Sequence, residues 1–491
     1  MERYIISVDL GTTNIKTGVY NSSMEEMNLH SSGVNYITDG KFVEFDPEGY
    51  WGLCKEGIKN AIIKSKIDPA RVVAIVLSGQ AESLVLLDRN FNPLRKGISW
   101  MDSRSQEECE LLKEAFDTNE GYRITGQPDI IPTWPLTKML WIKRNEREIF
   151  RKAYKYLLIK DYITFKLTGK QIGEYTVYNF SYYFDITKKR YWDEILNWVG
   201  VSPEQLPSLA EPGDNAGIIK GDIAKDLGLS GEVVVNTGTL DHFAGMIGTG
   251  NIIEGKVSEN TGTVLAILTK IKSPMINPFR IPCHYGPVKN SYVLLSVCES
   301  GGISLEWFKR NFYNDVAYDD INREVAKTLS SPNDVIFLPY LTGVNAPEYD
   351  LNARGAFYGL RLHHGRVHMA RAVMEGIAYI LKKNLETLEK LGIKVKNIIS
   401  MGGGAKSDVW NQIKADVTGK PLMVPLYKEA TALGAAIIAG TGCGLFSSIE
   451  DTVKRYVRME KVYEPLHTEM YVDGYSKFIE IYERLKPLFT F

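Results

Sequence analysis

The chain has 491 residues, long enough for a large core and two or three domains. Apolar residues make up 44% and charged residues 24%, ordinary values for a soluble globular protein. With 58 basic and 59 acidic side chains the formal charge is -1, which argues against a nucleic-acid surface or a polybasic membrane patch.

The opening MERYIISVDLG carries too short an apolar run for a signal peptide, and no stretch reaches the roughly 18 uninterrupted apolar residues of a spanning helix. Five cysteines, an odd number with no CxxC pair, suit a reduced protein of the cytoplasm. His363, His364 and His368 cluster without zinc-like spacing and read as surface or core residues.

In chain order, Tyr4–Asp9 (YIISVD) predicts a buried strand, GTTN a turn and KTGVYN a returning strand. Asp46 as N-cap, Pro47 at the first helical position, and Trp51, Cys54, Ile58, Ala61 and Ile62 at helical spacing predict a helix. Val72–Ser78 predicts a strand ending at GQAES. Helices follow over QEECELLKEAF and around Leu136–Arg144.

The second half opens in the same way. Val233–Asp241 predicts a strand ending on an acid, and Lys256–Lys270 predicts strand, Gly-Thr turn, strand. AVMEGIAYILKKNLETLEKLG predicts a long amphipathic helix with Gly392 just past its end. NIISMGGGAKSDVWNQIKADVTG reads as a strand, a glycine turn and a helix capped at Ser407 and stopped at Gly419. ATALGAAIIAG is a small-residue helix that can pack closely on its neighbours. Alternating strands and helices give an α/β class. The repeated Gly-Thr hairpin predicts a duplicated fold with a cleft between its halves. The halves are expected at residues 1–248 and 249–491, with the hinge near residues 245–255.

Several segments carry chemistry. In DLGTTNIK, a strand delivers Asp9 to its end and Gly11 allows a tight turn. Thr12, Thr13 and Asn14 offer hydroxyl, amide and backbone donors, and Lys16 adds a positive charge. Such a turn can surround a polyphosphate, with Asp9 holding magnesium through water. It is neither a Walker loop nor GxGxxG, and an ordinary hairpin is the plain alternative. NTGTV (Asn260–Val264) is the second such turn. SMGGGAKS (Ser400–Ser407) lets the backbone approach a ring or ribose at a helix start. Asp241, at a strand end, can orient a hydroxyl and accept its proton, or simply cap a helix. SGQAES and SWMDSRS place Gln80, Glu82, Asp102 and Arg104 at strand ends, suited to several hydroxyls. Trp100 and Trp134 offer faces for a polyol or are core residues.

The ordered series DLGTTNIK, SGQ, SWMDSR, LLIKDYITFKLTG, Asp241 before GMIGTG, NTGT, ESGGISLEW, PYLTGVNAPEYDLNARGAFYGL, MGGGAKSDVWNQIKADVTG and TALGAA resembles the FGGY carbohydrate kinases from about residue 4 to about residue 445. The family includes glycerol kinases, xylulokinases and gluconokinases. The resemblance implies two actin-like, ribonuclease-H-like domains with ATP, Mg2+ and a small sugar or polyol meeting in the cleft. A homodimer is the family's usual habit, and no nucleic-acid or membrane partner is implied.

By that resemblance Asp9, Thr12, Thr13, Asn14 and Lys16 match the first phosphate segment, and Thr261, Gly262 and Thr263 the second. Gly403, Gly404, Ala405, Ser407 and Asp408 fall in the adenosine segment, and Asp241 on the catalytic base. Gln80, Glu82, Asp102 and His242 fall near sugar contacts. The chain departs from the family at three places. Ala81-Glu82 stands where xylulokinases read Met-His and glycerol kinases Arg-Glu. Thr133 replaces a glycerol-kinase tyrosine. Val344-Asn345 occupies a usual Glu-Arg before Pro347. A ketopentose of the xylulose type is the expected acceptor, with a polyol or an aldonic acid as alternatives. An actin- or chaperone-type ATPase is the reading outside the kinases.

Overall fold

The computed structural model describes residues 2–229, 232–427 and 429–489. β1 (Tyr4–Leu10), β2 (Asn14–Asn21) and β3 (Glu26–Gly33) form an antiparallel meander joined by the predicted turn at Gly11–Thr13. β4 (Val72–Gly79) lies parallel to β1, and β6 (Val234–Leu240) parallel to β4. β5 (Asn215–Ile218) closes the edge antiparallel to β6. The sheet order is β5-β6-β4-β1-β2-β3.

The second half repeats this plan. β7 (Lys256–Thr261), β8 (Leu265–Ile271) and β10 (Tyr292–Cys298) make the meander, extended at its edge by β9 (Cys283–Tyr285). β11 (Asn397–Met401) and β12 (Leu422–Pro425) add in parallel, and β13 (Met459–Tyr463) closes the far edge antiparallel. The two Gly-Thr hairpins therefore occupy equivalent places in the two sheets. A smaller sheet in the first half, containing Leu84–Leu87, Gly97–Ile98 and Lys155–Leu158, carries the SGQAES and SWMDSRS loops at its ends.

Both faces of β1 are covered. Ile6, Val8 and Leu10 point towards α1 (Pro47–Ser65), packing with Trp51, Cys54, Ile58 and Ala61. Burying each large apolar side chain of this kind contributes about 1.5–3 kcal/mol. Asp46 caps α1, accepting from the Glu48 N–H at 3.1 Å, and Pro47 opens it as predicted. α2 (Pro135–Asn145) supports the SGQAES and SWMDSRS loops, with Lys138 donating to the carbonyls of Glu82 and Ser99.

The opposite face of β1, through Ile5, rests on two helices that cross the boundary between the halves. α3 (Asp241–Gly248) leaves the end of β6. The small-residue helix, which follows α4 (Gly302–Phe312), α5 (Tyr318–Ala326), α6 (Arg366–Lys390) and α7 (Asp408–Thr418), is α8 (Ala430–Gly442). α8 belongs to the second half by sequence, yet Ala432, Ala436 and Ile437 pack with Ile5, Ala74 and Val76 of the first sheet. Its small side chains permit that approach, which a division of the chain at residue 248 does not anticipate.

α3 and α8 touch backbone to backbone. A Cβ at Gly434 would lie 1.8 Å from the Ala244 carbonyl oxygen, and one at Gly248 would lie 1.9 Å from that of Ala430. Elsewhere the predicted caps hold. Ser407 accepts from the Trp410 N–H at 3.1 Å, and Gly392 and Gly419 adopt positive φ past their helices. Among the described residues no helix is long and apolar enough to cross a membrane.

Gly434→Ala is expected to lower unfolding stability by roughly 2 kcal/mol or more, because neither backbone can yield without separating the helices. Gly52→Ala in α1, where an added Cβ meets nothing within 4 Å, is expected to be neutral or up to ~1 kcal/mol stabilising. Chemical denaturation of the two variants measures the contrast.

Candidate active site

Three parallel strands of the first sheet end at one edge. The register pairs Asp9 with Ser78 and Thr239 with Ser78, so Asp9, Ser78 and Asp241 (the residue after β6) converge. Carboxyl ends of parallel strands are where α/β folds gather ligand-binding groups. The Ser78 hydroxyl donates to Asp9 Oδ1 at 3.1 Å. Burial and the facing Asp241 carboxylate push the Asp9 carboxyl up to about 7. Asp241 is the first residue of α3, and its Oδ1 accepts from the His242 N–H at 2.6 Å.

Glu82 flanks Asp241 on the other side. It is a non-glycine residue at φ 69, 8% exposed, and accepts a hydrogen bond from Thr133. Burial raises its carboxyl to about 8 and the Asp241 charge adds to the rise, against the pull of Lys138. Lys138, fully buried on α2, donates to the carbonyls of Glu82 at 3.3 Å and Ser99 at 2.9 Å. Sequence reasoning found no cationic partner for Glu82. Lys138 fills that place from a helix 56 positions along the chain, a separation no local motif displays. Asp9 and Glu82 thus both feel the charge of Asp241, which gathers the three carboxyls at this edge of the sheet.

The Gly11–Thr13 turn is braced by the SWMDSRS loop. Trp100 is half-exposed and its indole N–H donates to Thr12 Oγ1 at 2.9 Å, while its backbone N–H donates to Ser83 Oγ at 3.0 Å. Gln80 departs from the expected sugar contact. It is 5% exposed, its Oε1 accepts from Ser83 at 2.6 Å, and its amide group faces the Gly11 carbonyl and the Tyr36 and Tyr50 hydroxyls. Its role here is to hold the turn.

Asp102 departs more sharply. It is fully buried, accepts from the Val43 N–H at 2.6 Å, and pairs with Arg104 through both oxygens at 2.8 and 2.7 Å. A carboxylate so enclosed has no lone pair left for an acceptor. Lys16 also differs from expectation, since its ammonium pairs with Glu429 at 2.7 Å, just before α8. Thr13 and His242 are exposed and Asn14 half-buried at the rim.

Trp134 is buried and its indole N–H donates to the Asp129 carbonyl at 3.1 Å. It borders a cavity of about 500 Å³ shared by the two halves, with Gln127, Phe180, His284 and Asn345. His284 stacks on Phe180 at 4.7 Å, and burial pushes its imidazole down to about 3, so the ring is neutral.

In the second half, Thr261, Gly262, Thr263, Gly403, Gly404 and Ser407 line one cavity of about 360 Å³ together with Ile303, Tyr318, Asn322 and Trp410. The ESGG segment clamps the turn, with the Gly302 N–H donating to the Gly262 carbonyl at 2.7 Å. A Cβ at Gly302 would sit 2.5 Å from that oxygen, which explains the glycine. Ser407 donates to Asn322 Oδ1 at 2.9 Å. Asn322 and Tyr318 lie on α5, which carries no motif, so the sequence offered no signal for them. Two expected residues lie outside this cavity. Asp408 turns outward to Lys461 at 2.8 Å and to the Tyr463 hydroxyl. Ala405 uses its carbonyl to accept from Asn411 at 2.7 Å.

Among the described residues no group of three His, Cys, Asp or Glu is placed to hold a metal by itself. The facing Asp9 and Asp241 carboxylates, with Lys16 engaged by Glu429, instead suit magnesium held through one carboxylate, waters and phosphate oxygens.

The sequence profile of the N-terminal domain of the FGGY family of carbohydrate kinases matches residues 4–248, and its C-terminal domain profile matches residues 258–443. The xylulose kinase of Bacillus subtilis (strain 168) is 30% identical over 493 residues, covering 99% of this chain and 98% of its own. Two Lactobacillus acidophilus structures, a gluconate kinase and a xylulose kinase, each superimpose with a TM-score of 0.91 at 30% and 31% identity. Each covers 99% of this chain and 98% of its own.

The raised Glu82 carboxyl means that the folded state holds this proton more tightly than the unfolded chain. Its stabilising contribution is full below about 4.5 and is lost as pH climbs towards about 8. Glu82→Gln, which mimics the protonated form, is expected to melt with wild type at pH 5 and progressively above it by pH 8. Thermal melts across that range read the crossover.

Proposed function

This chain belongs to the FGGY family of carbohydrate kinases and is a sugar kinase of actin-like fold, and we propose that it moves the γ-phosphate of ATP to a hydroxyl of a ketopentose of the xylulose type. The observation that carries the reading is that the strand register brings Asp9 and Asp241 to one sheet edge around Ser78, within reach of the buried Glu82 carboxyl. Family membership sets aside the actin- or chaperone-type ATPase.

In this reading the halves are residues 1–248 and 249–491. The nucleotide lies against the cavity of Thr261–Thr263, Gly403–Gly404 and Ser407, with its phosphates reaching the Gly11–Thr13 turn. Asp9 would hold a magnesium ion through water, and that ion, when bound, neutralises phosphate charge. Phosphoryl transfer passes through a loose, charge-spread transition state, so alignment matters more than basicity. Asp241 orients the acceptor hydroxyl and takes its proton late, since a carboxylate is a weak base for an alcohol. Glu82 and Thr133 accept and donate to neighbouring hydroxyls, and Trp100 presents its indole face beside them.

A neutral acceptor fits this wall better than an acid. An aldonate would bring its own negative charge against the Asp241 carboxylate, and Lys138 directs its ammonium to backbone carbonyls rather than to an acceptor. Xylulose kinases stand among the 30%-identical relatives, which favours a ketopentose. A polyol is the second reading, because Glu82 supplies the carboxylate expected of a glycerol-type site.

Asp241→Asn is expected to lower turnover by ~10²–10⁴-fold with the fold intact. Turnover near wild type would remove Asp241 from the mechanism. A coupled ADP-release assay across ketopentoses, glycerol, erythritol and gluconate tests the acceptor, with the highest kcat/KM expected for a ketopentose.

A further inference from the structure

Beneath the second phosphate turn lies a buried charge pair that no step above uses. Lys414 on α7 and Glu259 on β7 are both fully buried and paired at 2.6 Å. The Lys414 ammonium also donates to Thr261 Oγ1 at 2.9 Å, and the Thr261 hydroxyl donates to the second Glu259 oxygen at 2.6 Å. Ser400, at the end of β11, donates to the first Glu259 oxygen as well. The cluster is closed, with each Glu259 oxygen engaged and the Thr261 hydroxyl both donating and accepting.

Its partners are the walls of the nucleotide cavity. Thr261 opens the turn whose Gly262 and Thr263 line the cavity. A Cβ at Gly404 would meet Thr261 Cβ at 2.7 Å and Lys414 Nζ at 3.2 Å, so the glycine turn rests on the same pair. Trp410, a further wall residue, lies with its ring 5.0 Å from the Lys414 ammonium. Ser400 pairs with Glu259 in the β7–β11 register, directly before the glycine turn. One ammonium therefore ties together the second phosphate turn, the glycine turn and the first turns of α7.

Such a pair is poor value as a stability device. Desolvating two charges offsets their attraction, and apolar replacements of similar volume are often neutral or better. We propose that Lys414 and Glu259 are positioning residues for ATP. They fix the Thr261 rotamer, and with it the set of the Thr261–Thr263 turn, which the Gly262 N–H closes onto the Val264 carbonyl at 3.1 Å and whose residues line the cavity. This rests on the placement of the nucleotide proposed above. Thr261 then serves the site through its backbone, because its hydroxyl is committed to the pair.

The test uses the full chain and ADP as the probe, which needs no knowledge of the acceptor. Lys414→Met with Glu259→Leu removes both charges at similar volume, where either change alone leaves an uncompensated buried charge. The double variant is expected to melt near wild type and to bind one ADP about tenfold more weakly by calorimetry, the loss expected when a charge-assisted hydrogen bond no longer sets the turn. Wild-type ADP affinity in the double variant overturns the proposal. A double variant that does not fold overturns it as well, since the pair is then needed for stability. Ile303→Trp fills the same cavity and separates the two readings. If it leaves ADP binding intact, the nucleotide lies elsewhere and the placement itself fails. If it abolishes binding while the double variant does not weaken it, only the positioning role falls.

Discussion

Gly248 of α3 and Gly434 of α8 bring two helix backbones into direct contact, and the functional geometry hangs on that approach. α3 begins at Asp241, so the helix that carries the proposed base is the one pressed against α8. α8 begins just after Glu429, which holds Lys16 beside the first phosphate turn. It then runs across the face of β1 through Ile5, while the strand's other face is sealed by α1. A side chain at either glycine would move the base, the turn and the interface between the halves together.

Within that frame the electrostatics are lopsided. Asp9, Asp241 and Glu82 gather at one edge of the sheet, and the nearby ammonium groups are committed. Lys16 pairs with Glu429, and Lys138 donates to two carbonyls. The elevated Asp9 and Glu82 carboxyls record the repulsion and burial. A cation held near Asp9 with nucleotide phosphates, as proposed above, would supply charge that offsets this repulsion. The second half handles charge differently, enclosing Glu259 with Lys414 beneath the two glycine-bearing turns, while Glu306, Asp319 and Lys406 bring charge of both signs to the cavity from elsewhere on its wall.

Much of this was legible in the chain itself because the signals are local. The two Gly-Thr turns, the strand ending at Asp241, the Asp46 and Ser407 caps and the glycine stops each depend on a few consecutive residues and appear where expected. What escaped depends on partners far apart in sequence. Asp102 looked like a free strand-end acid until Arg104 and the Val43 N–H enclosed it. Asp408 sits next to a true wall residue, but helix geometry turns it towards Lys461. Lys138, Lys414 and Asn322 read as ordinary helix residues, since nothing in α2, α7 or α5 announces a buried partner on another element. The crossing of α8 onto the first sheet is the same kind of fact. Its alanines and glycines advertised close packing without naming the neighbour.

The hydrogen bond from Trp100 to Thr12 joins the acceptor loop to the phosphate turn. With nucleotide and acceptor placed as proposed, the two sites would consequently not be independent reservoirs of affinity. Any occupant that shifts Thr12 alters the bond that sets the indole, and any occupant that shifts the indole alters Thr12. Thermodynamic reciprocity makes the two influences equal in size. Under the proposed placement, synergism between donor and acceptor would pass through this one indole N–H, and it would read the same whichever substrate is added first.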